Sequence, residues 1–391
     1  MSLILGLETS CDETAAAVVE DGVVVRSNII ATQHKLHERY GGVVPEIASR
    51  AHLERISPVV QDALSAAGVT FADLDAIAVG NRPGLIGSLL VGVSAAKAIA
   101  WSLGKPLIGV DHVRAHLYAG WMGDAGVGSR VSGVGERHQD TPSSDPKPET
   151  RNPKPDPHDP RFPALGLVVS GGHTSLYELS SPIEMRVIGR TIDDAVGEAY
   201  DKAAVILKVG YPGGPKLDKL AQTGDASAYK LPRSMLEEGS LDFSFSGLKT
   251  ALLYLVRGRP VGRGDHAVFE RSADDLTEEQ KRNIAAAFQT AAIETVIIKI
   301  RRAIDHLAAQ GRRPRTLLVG GGVSANSLLR KRAIELGQID PGNGQPAMDV
   351  RLPAMSLCLD NAAMIAGLAH EYLIRGQFSD LGLQAMSTTR V

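Results

Sequence analysis

The chain is 391 residues long, with 43% hydrophobic and 22% charged residues, which is the balance of an ordinary globular enzyme. One hydrophobic core rarely supports a chain of this length, so two lobes are expected. A free-standing nucleic-acid binder usually has a strongly basic charge, whereas the formal net charge of this chain is -2. Any contact with RNA must therefore be local or shared with a partner.

The N-terminus and the cysteines indicate a cytoplasmic protein. The two cysteines, Cys11 and Cys358, form no disulfide framework, which favours a reducing compartment. The first residues lack a basic region and turn polar after a short apolar run, as a strand does and a signal peptide does not. No apolar run is expected to reach membrane-spanning length, so we expect no membrane partner.

The opening of the chain predicts a three-stranded meander. Apolar stretches with the length and composition of strands occupy residues 3–7, 15–19 and 23–29. Asp21-Gly22 separates the last two stretches and is typical of hairpin turns that need positive φ. A polar loop at residues 8–14 forms the first bend.

The same order of signals returns in the second half of the chain. Strand-like stretches occupy residues 165–169, 175–179 and 185–188. Internal duplication is the simplest explanation. Signals for helices and parallel strands follow each copy, with the strands at residues 75–80, 106–110 and 316–319. Two α/β lobes are predicted, with ligands bound at the carboxyl ends of their strands.

The predicted domain boundaries follow from the two copies. The first lobe covers residues 1–119, with a C-terminal segment, 355–391, packing back on it, and the second lobe covers 164–354. Residues 120–163 between them are rich in Gly, Ser and Pro and have almost no large apolar side chain, so a disordered insertion is expected. A partner-docking arm is the alternative interpretation.

Two histidines four residues apart, His112 and His116, share one face if they lie on a helix and can then bind one metal. The alternative is a pair of surface or partly satisfied histidines. Val113 stands where a zinc peptidase of the HExxH kind keeps its glutamate, which argues against peptide hydrolysis. Asp360, which begins a small-residue helix, is the candidate third ligand or else a simple N-cap. Two histidines and a carboxylate suit Fe(II) or Zn(II).

Four glycine-rich loops lie between predicted elements, at residues 170–174, 212–215, 245–249 and 320–326. Glycine lets backbone N–H groups approach a phosphate closely, and helix N-termini add a favourable dipole. One such loop would mean little, but four on a duplicated α/β scaffold favour a nucleotide ligand. Neither a GxxxxGK[ST] nor a GxGxxG pattern occurs, so the phosphate site must be of another kind.

The polar bend at residues 8–14 holds a further candidate, Asp12. Its carboxylate is suited to orienting a metal, a water or a phosphate, and the alternative is a hydrogen-bonded turn. Cys11 beside it has no local feature that would lower its pKa, so a structural thiol is favoured over a nucleophile.

The longest motifs run through almost the whole chain outside the insertion. They are LGLETSCDETA, HERYGGVVPEIASRAH, LVVSGGHTSL, IDDAVGEAYDK, YPGGPKL, LDFSFSGLKTA, GGVSAN and LDNAAMIA. With them the chain closely resembles the universal family of tRNA threonylcarbamoyladenosine-forming transferases, once described as glycoproteases. The resemblance implies an α/β fold of the actin/Hsp70/sugar-kinase-like (ASKHA) class, with two duplicated ribonuclease H-like lobes and a central cleft.

The resemblance also implies the residues of the site. The metal ligands would be His112, His116 and Asp360, and Asp12 matches a family acid near the metal, carried over as the catalytic residue. Positions that line the threonylcarbamoyl-AMP site are matched by Val168, Val169, Ser170, Gly171, Gly172, Asp201, Gly214, Asp218 and Asn326.

Two places depart from the family pattern. The usual histidine pair is HxEGH with another histidine ahead of it, whereas Asp111 precedes the pair here and Arg114-Ala115 lies inside it. Asn81-Arg82 with the following Pro-Gly-Leu replaces a more common Gly-Pro-Gly-Leu loop. The departures leave every implied ligand in place.

The implied activity is transfer of threonylcarbamoyl from threonylcarbamoyl-AMP to N6 of adenosine 37 in tRNAs that read codons starting with A. One divalent metal per subunit is implied, with Fe(II) favoured and Zn(II) as the alternative. Implied partners are tRNA, a noncatalytic paralogue, a small P-loop ATPase and a separate adenylate synthase. A noncatalytic scaffold subunit and an ATP-dependent kinase of the same fold remain as alternatives. The scaffold would not need the metal ligands, and the kinase would not need tRNA.

Overall fold

The computed structural model describes all residues except 41, 123–129, 132–158, 160, 211, 235–236, 263–267, 340–347 and 389–391, and describes only the backbone at 130–131. Most of the predicted insertion, 120–163, lies outside the described residues. The chain forms two compact units. The first unit comprises Met1–Asp159 with Pro353–Val391, and the second comprises Pro160–Leu352.

The first unit contains a six-stranded mixed sheet with the order β5-β4-β1-β2-β3-β6. Its strands are β1 (Leu3–Glu8), β2 (Glu13–Glu20), β3 (Val24–Thr32), β4 (Ala76–Arg82), β5 (Leu107–Asp111) and β6 (Arg130–Val131). Strands β1, β2 and β3 pair antiparallel, and β4 and β5 continue the sheet in parallel on the other side of β1. Asp21 and Gly22 have φ values of 48° and 75°, as the predicted hairpin turn requires.

Helices cover the strands of the first unit. The helices before the second unit are α1 (His34–His37), α2 (Pro45–Ala67), α3 (Ile86–Leu103) and α4 (His112–Tyr118). Helix α2 begins with a proline at its first position, where the missing N–H costs no hydrogen bond. It buries Ile56, Val59 and Val60 in the same core as Leu5 and Leu7 of β1.

The second unit repeats this topology in a five-stranded sheet with the order β11-β10-β7-β8-β9. Its strands are β7 (Ala164–Val169), β8 (Thr174–Leu179), β9 (Met185–Arg190), β10 (Thr316–Gly320) and β11 (Asp349–Arg351). Strands β7, β8 and β9 again pair antiparallel, and β10 and β11 are parallel to β7. The predicted duplication of an α/β unit is therefore confirmed.

A long helix forms the centre of the second unit. The helices of this unit are α5 (Val196–Leu207), α6 (Gly213–Ala221), α7 (Ser246–Arg257), α8 (Glu278–Ala309) and α9 (Ser327–Gly337). Helix α8 begins with a capping box in which Thr277 and Gln280 satisfy each other's backbone N–H groups. Its buried residues, which include Phe288 and Ile293, belong to one core with strand β7.

The C-terminal segment belongs to the first unit through α10 (Ala362–Leu373). This helix packs on the first sheet so closely that a Cβ on Gly6 would lie 2.5 Å from the carbonyl oxygen of Ala362. Asn361 caps the helix by accepting a hydrogen bond from the backbone N–H of Met364. The packing and the cap fix the position of Asp360, the residue before the cap.

Two helices, α3 and α8, are long and apolar enough to span a membrane when length and composition alone are considered. The expectation that no apolar run has this length is therefore wrong. In α8, 78% of the apolar stretch is buried inside the protein, whereas in α3 the share is 39%. Helix α3 leaves Ile86, Leu90 and Trp101 exposed.

Candidate functional site

The side chains of His112, His116 and Asp360 converge in the first unit. The Nε2 atom of His116 lies 3.1 Å from Nε2 of His112 and 3.0 Å from Oδ1 of Asp360. Nε2 of His112 lies 3.4 Å from the same carboxylate oxygen. Both histidines are buried. The three ligand atoms lie within 4.8 Å of one another, a spacing at which they could hold one metal ion.

The local sequence places both histidines on one helix face. Asp111 ends β5 and accepts hydrogen bonds from the backbone N–H groups of Val113 and Arg114, at 3.1 and 3.2 Å. Because this cap starts α4 directly at the end of the strand, His112 occupies the first helical position and His116 lies one turn later.

Glu8 lies behind His112, on the side away from the other two ligands. Its Oε2 atom is 3.1 Å from Nδ1 of His112, and the hydroxyl of Ser10 is 3.2 Å from the same nitrogen. Glu8 is fully buried at the end of β1, and its Oε1 atom accepts the backbone N–H of Ser10 at 2.6 Å. A carboxylate on Nδ1 fixes the ring orientation and tautomer so that Nε2 is available to a metal.

The charge balance of these ligands calls for a cation or a shared proton. Burial alone would lower the pKa of His112, but the carboxylates of Asp360 and Glu8 raise it well above the ordinary value. Burial and the neighbouring His112 lower the pKa of His116. Burial would raise the pKa of Asp360, but His112 holds it well below its usual range. Two ring nitrogens that face each other cannot both act as acceptors, so this donor set fits a metal ion.

Asp12 lies in the loop between β1 and β2 and not among the three metal ligands. Its carboxylate is instead beside Glu13 and His34. Burial and the charge of Asp12 raise the pKa of the Cys11 thiol, so the structure does not make this cysteine an activated nucleophile. Cys358 is buried.

The predicted adenylate residues all lie in the second unit, where the carboxyl ends of β7 and β10 meet. Val168 and Val169 are fully buried at the end of β7, and Ser170 to Gly172 follow as the turn into β8. Gly321 has a φ of 90° and comes so close to β7 that a Cβ would lie 2.5 Å from the carbonyl oxygen of Val169.

Asp201 holds the N-terminus of α6 in place. Its Oδ1 atom accepts the backbone N–H of Gly213 at 3.1 Å. Burial raises the pKa of this carboxyl, although the N–H groups of Gly213 and Gly214 act against the rise. At Gly214 a Cβ would meet open space, so backbone there is accessible to a ligand.

Asp218 and Asn326 are brought together by direct hydrogen bonds. The amide nitrogen of Asn326 donates to Asp218 at 3.2 Å and to Gln289 at 2.9 Å. The amide oxygen of the same residue caps α9 by accepting the N–H of Leu329. The hydroxyl of Tyr200 donates to Gln289 at 3.3 Å.

Three supporting residues were not identified from the sequence: Glu8, Gln289 and Tyr200. Glu8 lies in the motif LGLETSCDETA, at the end of a predicted strand. An acid at that position is the signal that could have identified it. Gln289 and Tyr200 lie within helices, and no local pattern marks them as members of a polar network.

The fold and these sites define a two-unit α/β protein with a His-His-Asp group that could hold a metal ion in one unit and glycine-rich loops with buried polar groups in the other. The family model for tRNA N6-adenosine threonylcarbamoyltransferase matches residues 24–136 and 150–367. The chain therefore belongs to the tRNA N6-adenosine threonylcarbamoyltransferase family, and the resemblance seen in the sequence is confirmed, as is the fold class of two duplicated α/β units.

Curated relatives of the same name match over nearly the full length of the chain. The protein of Moorella thermoacetica is 45% identical over 384 residues, which are 98% of this chain and 95% of the relative. The protein of Trichlorobacter lovleyi is 43% identical over 99% of this chain and 96% of the relative. Among solved structures, component A of the (R)-2-hydroxyglutaryl-CoA dehydratase of Acidaminococcus fermentans matches at 12% identity and a TM-score of 0.47, covering 95% of this chain and 98% of that one.

Proposed function

We propose that this protein transfers the threonylcarbamoyl group from threonylcarbamoyl-AMP to N6 of adenosine 37 in tRNAs that read codons starting with A. The chain belongs to the family named for this transfer. The observation that carries the assignment to an active member is the convergence of His112, His116 and Asp360 on one point. A noncatalytic scaffold would not need these three side chains.

The metal would be held by the Nε2 atoms of His112 and His116 and by the carboxylate of Asp360. The family resemblance favours Fe(II) over Zn(II); two imidazoles and one carboxylate suit either ion and leave coordination positions open. A bound ion would supply Lewis-acid polarisation of the carbonyl of the donor. Glu8 would keep Nε2 of His112 directed at the ion by holding Nδ1.

The second unit would bind the adenylate. Gly171 and Gly172, in the turn after β7, would present backbone N–H groups suited to a phosphate, and the absence of a side chain at Gly214 would let the ligand approach the backbone at the start of α6. Asp218 and Asn326 present a carboxylate and an amide suited to ribose hydroxyl groups. The mixed anhydride makes AMP a good leaving group, which the weakly nucleophilic N6 amine requires.

Asp12 would take the proton that N6 loses as the new bond to the carbamoyl carbon forms and the bond to AMP breaks. Its carboxylate is buried in the loop that follows β1, and a carboxylate can serve as a general base. A role in positioning a cation is the alternative for the same group.

The partners proposed for this reaction are tRNA, a noncatalytic paralogue, a small P-loop ATPase and a separate synthase for the adenylate, all in the cytoplasm. A net charge of -2 supports a shared tRNA surface. Helix α3 exposes Ile86, Leu90 and Trp101, which lie on one face by helical spacing and suit an apolar protein contact.

Reconstituted transfer tests the proposal. Labelled threonine is incubated with unmodified tRNA, ATP, bicarbonate, the synthase and the partner proteins, with wild type or with the double variant His112→Ala/His116→Ala. His306→Ala, an exposed histidine on α8, is the matched control. We expect label in tRNA with wild type and the control, and its loss with the double variant. Label that persists with the double variant would leave the chain a scaffold, and phosphorylation of a small substrate without tRNA would indicate a kinase.

A further inference from the structure

A second group of metal-binding side chains, distinct from the His-His-Asp set, lies in the first unit. It consists of Asp12, Glu13 and His34, whose ligand atoms all lie within 4.8 Å of one another. Nε2 of His34 is 3.2 Å from Oε1 of Glu13 and 3.8 Å from Oδ2 of Asp12. These separations are close to those between donor atoms around one metal ion.

The pairing of β2 with β3 holds these three residues together. Glu13 opens β2 and pairs with Thr32, the last residue of β3. The backbone N–H of Gln33 then donates to the carbonyl oxygen of Asp12 at 3.1 Å. His34 begins α1 directly after this contact, so the imidazole is placed beside the two carboxylates by main-chain hydrogen bonds. The donors are therefore preorganised, as a metal site requires.

When both are ionised, the two carboxylates carry more negative charge than the described side chains around them balance. Their side chains are only 11% and 9% exposed. Among the described residues, His34 is the basic side chain within ion-pair distance of them, and it is 39% exposed. Burial raises the pKa of Glu13 to about 8, with the charges of Asp12 and Asp360 adding to the rise and the hydrogen bond from His34 opposing it. A cation would relieve this repulsion.

We propose that Asp12, Glu13 and His34 form a second divalent-cation site. One imidazole nitrogen and two carboxylates favour Mn(II), Fe(II) or Zn(II) over Mg(II), which prefers oxygen ligands alone. The side chain of His34 is 39% exposed, so water or a substrate oxygen would be able to reach a bound ion. Ligation needs the carboxylates ionised and the imidazole neutral, so binding of the ion releases protons.

The second site is a neighbour of the first and shares no ligand with it. The charge of Asp360, which belongs to the first site, raises the pKa of Cys11 and of Glu13. The two sites are therefore within electrostatic reach of each other. The proposal does not rest on the transfer reaction. With the ion bound, the Asp12 carboxylate would hold the cation, which favours its alternative role of positioning a cation over the proton acceptance proposed above.

Metal stoichiometry tests this site. The full-length protein is stripped with a chelator and titrated with Mn(II), with the free ion measured by electron paramagnetic resonance. We expect two ions per chain for wild type, and one for each of His34→Ala, Glu13→Gln and the double variant His112→Ala/His116→Ala. The triple variant His34→Ala/His112→Ala/His116→Ala should bind none. Lys35→Ala, an exposed neighbour on α1, should retain both ions.

Several results would overturn the second site. The second site would be wrong if wild type bound a single ion and the His112→Ala/His116→Ala variant bound none. It would also be wrong if His34→Ala bound two ions with unchanged affinity. Thermal unfolding supplies a readout independent of ion counting. Mn(II) should raise the Tm of the His112→Ala/His116→Ala variant and leave that of the triple variant unchanged. Transfer of labelled threonine is measured separately, so a failed cation site and a failed transferase assignment give different results.

Discussion

Glu8 acts on the proposed metal centre through His112 and not by contact with the ion. Its carboxylate is fully buried, and it is fixed on one oxygen by the N–H of Ser10 and on the other by Nδ1 of His112. Such partners orient the ring and raise the basicity of the ligating nitrogen. The pair thus explains why a buried acid is tolerated at the end of β1.

Replacing Glu8 with glutamine should weaken metal binding without removing a ligand. Glutamine keeps the size of the side chain but holds no charge against the imidazole, so we expect affinity to fall about 10- to 100-fold. Competition with a chelating dye measures the affinity, and Glu46→Gln on the exposed start of α2 is the control. Equal affinities for Glu8→Gln and wild type would mean that Glu8 does not orient His112.

Gln289 should affect adenylate binding through Asn326. In Gln289→Leu the Asn326 amide loses its 2.9 Å partner in a buried setting, which should cost about 1–3 kcal/mol of unfolding free energy. Because Asn326 is a proposed adenylate residue, we expect a higher KM for the adenylate with kcat little changed. Gln310→Leu at the exposed end of α8 is the control. A fall in kcat at constant KM would contradict a positioning role.

At the scale of elements, the two departures from the family pattern meet in the structure. The guanidinium of Arg82, at the end of β4, lies 3.3 Å from the carboxylate of Asp111. Asp111 also caps α4, the helix that carries the metal histidines. The side chain of Asp111 is 1% exposed and that of Arg82 is 31% exposed, so the pair is largely removed from water. Arg82 therefore neutralises the acid that starts the metal-binding helix.

A double-mutant cycle measures how far Arg82 balances the charge of Asp111. Arg82→Leu should cost about 1–2 kcal/mol of unfolding free energy, because it leaves the Asp111 carboxylate buried with its charge unbalanced. Asp111→Asn keeps the cap and removes the charge, so adding it to Arg82→Leu should restore part of the loss. Denaturant unfolding of the two single variants and the double variant gives the coupling. Strictly additive costs would show that the two side chains act independently.

Lys299 gives α8 a pH-dependent contribution to stability. The pKa of this amine is lowered from 10.5 to about 8, mainly by burial and also by the charge of Arg302, with Asp242 acting in the opposite direction. Between these two values the unfolded chain binds more protons than the folded one, so this residue makes stability rise as pH rises.

Comparing Lys299→Met with wild type between pH 8 and pH 10.5 tests this contribution. The methionine variant has no amine to titrate, so its unfolding free energy should rise less across this window. Lys331→Met, which removes an exposed lysine on α9, should show the same dependence of unfolding free energy on pH as wild type. Parallel curves for Lys299→Met and wild type would show that the lysine titrates normally.

The sequence was most informative where a local pattern decides the structure. The strand expected at 15–19 lies within β2, and Asp21-Gly22 turns as predicted, because alternation, burial and turn chemistry are local. The contact of Glu8 with His112 spans 104 positions of the chain and depends on how strands pair in the sheet. For the same reason the partnership of Arg82 with Asp111 was not predictable, although each residue stood out alone.

At the scale of the whole molecule, each unit carries its own ligands. The first unit includes α10, so the third proposed metal ligand, Asp360, comes from the far end of the chain. The proposed adenylate residues all lie within Pro160–Leu352. Each unit also has its own hydrophobic core. A ligand that binds one unit should therefore stabilise that unit first.

Amide hydrogen exchange tests whether each ligand stabilises the unit that binds it. Zn(II) at about 100 times its Kd should add about 2.7 kcal/mol to the stability of the unit that binds it. Exchange should slow in β1, α4 and α10, whereas AMP should slow exchange in β7, α6 and the start of α9. In His112→Ala/His116→Ala the AMP effect should persist, because none of its proposed contacts comes from the first unit. Slowing of both units by either ligand alone would mean that binding is coupled across the molecule, and the metal would then act on the adenylate site as well as on its own.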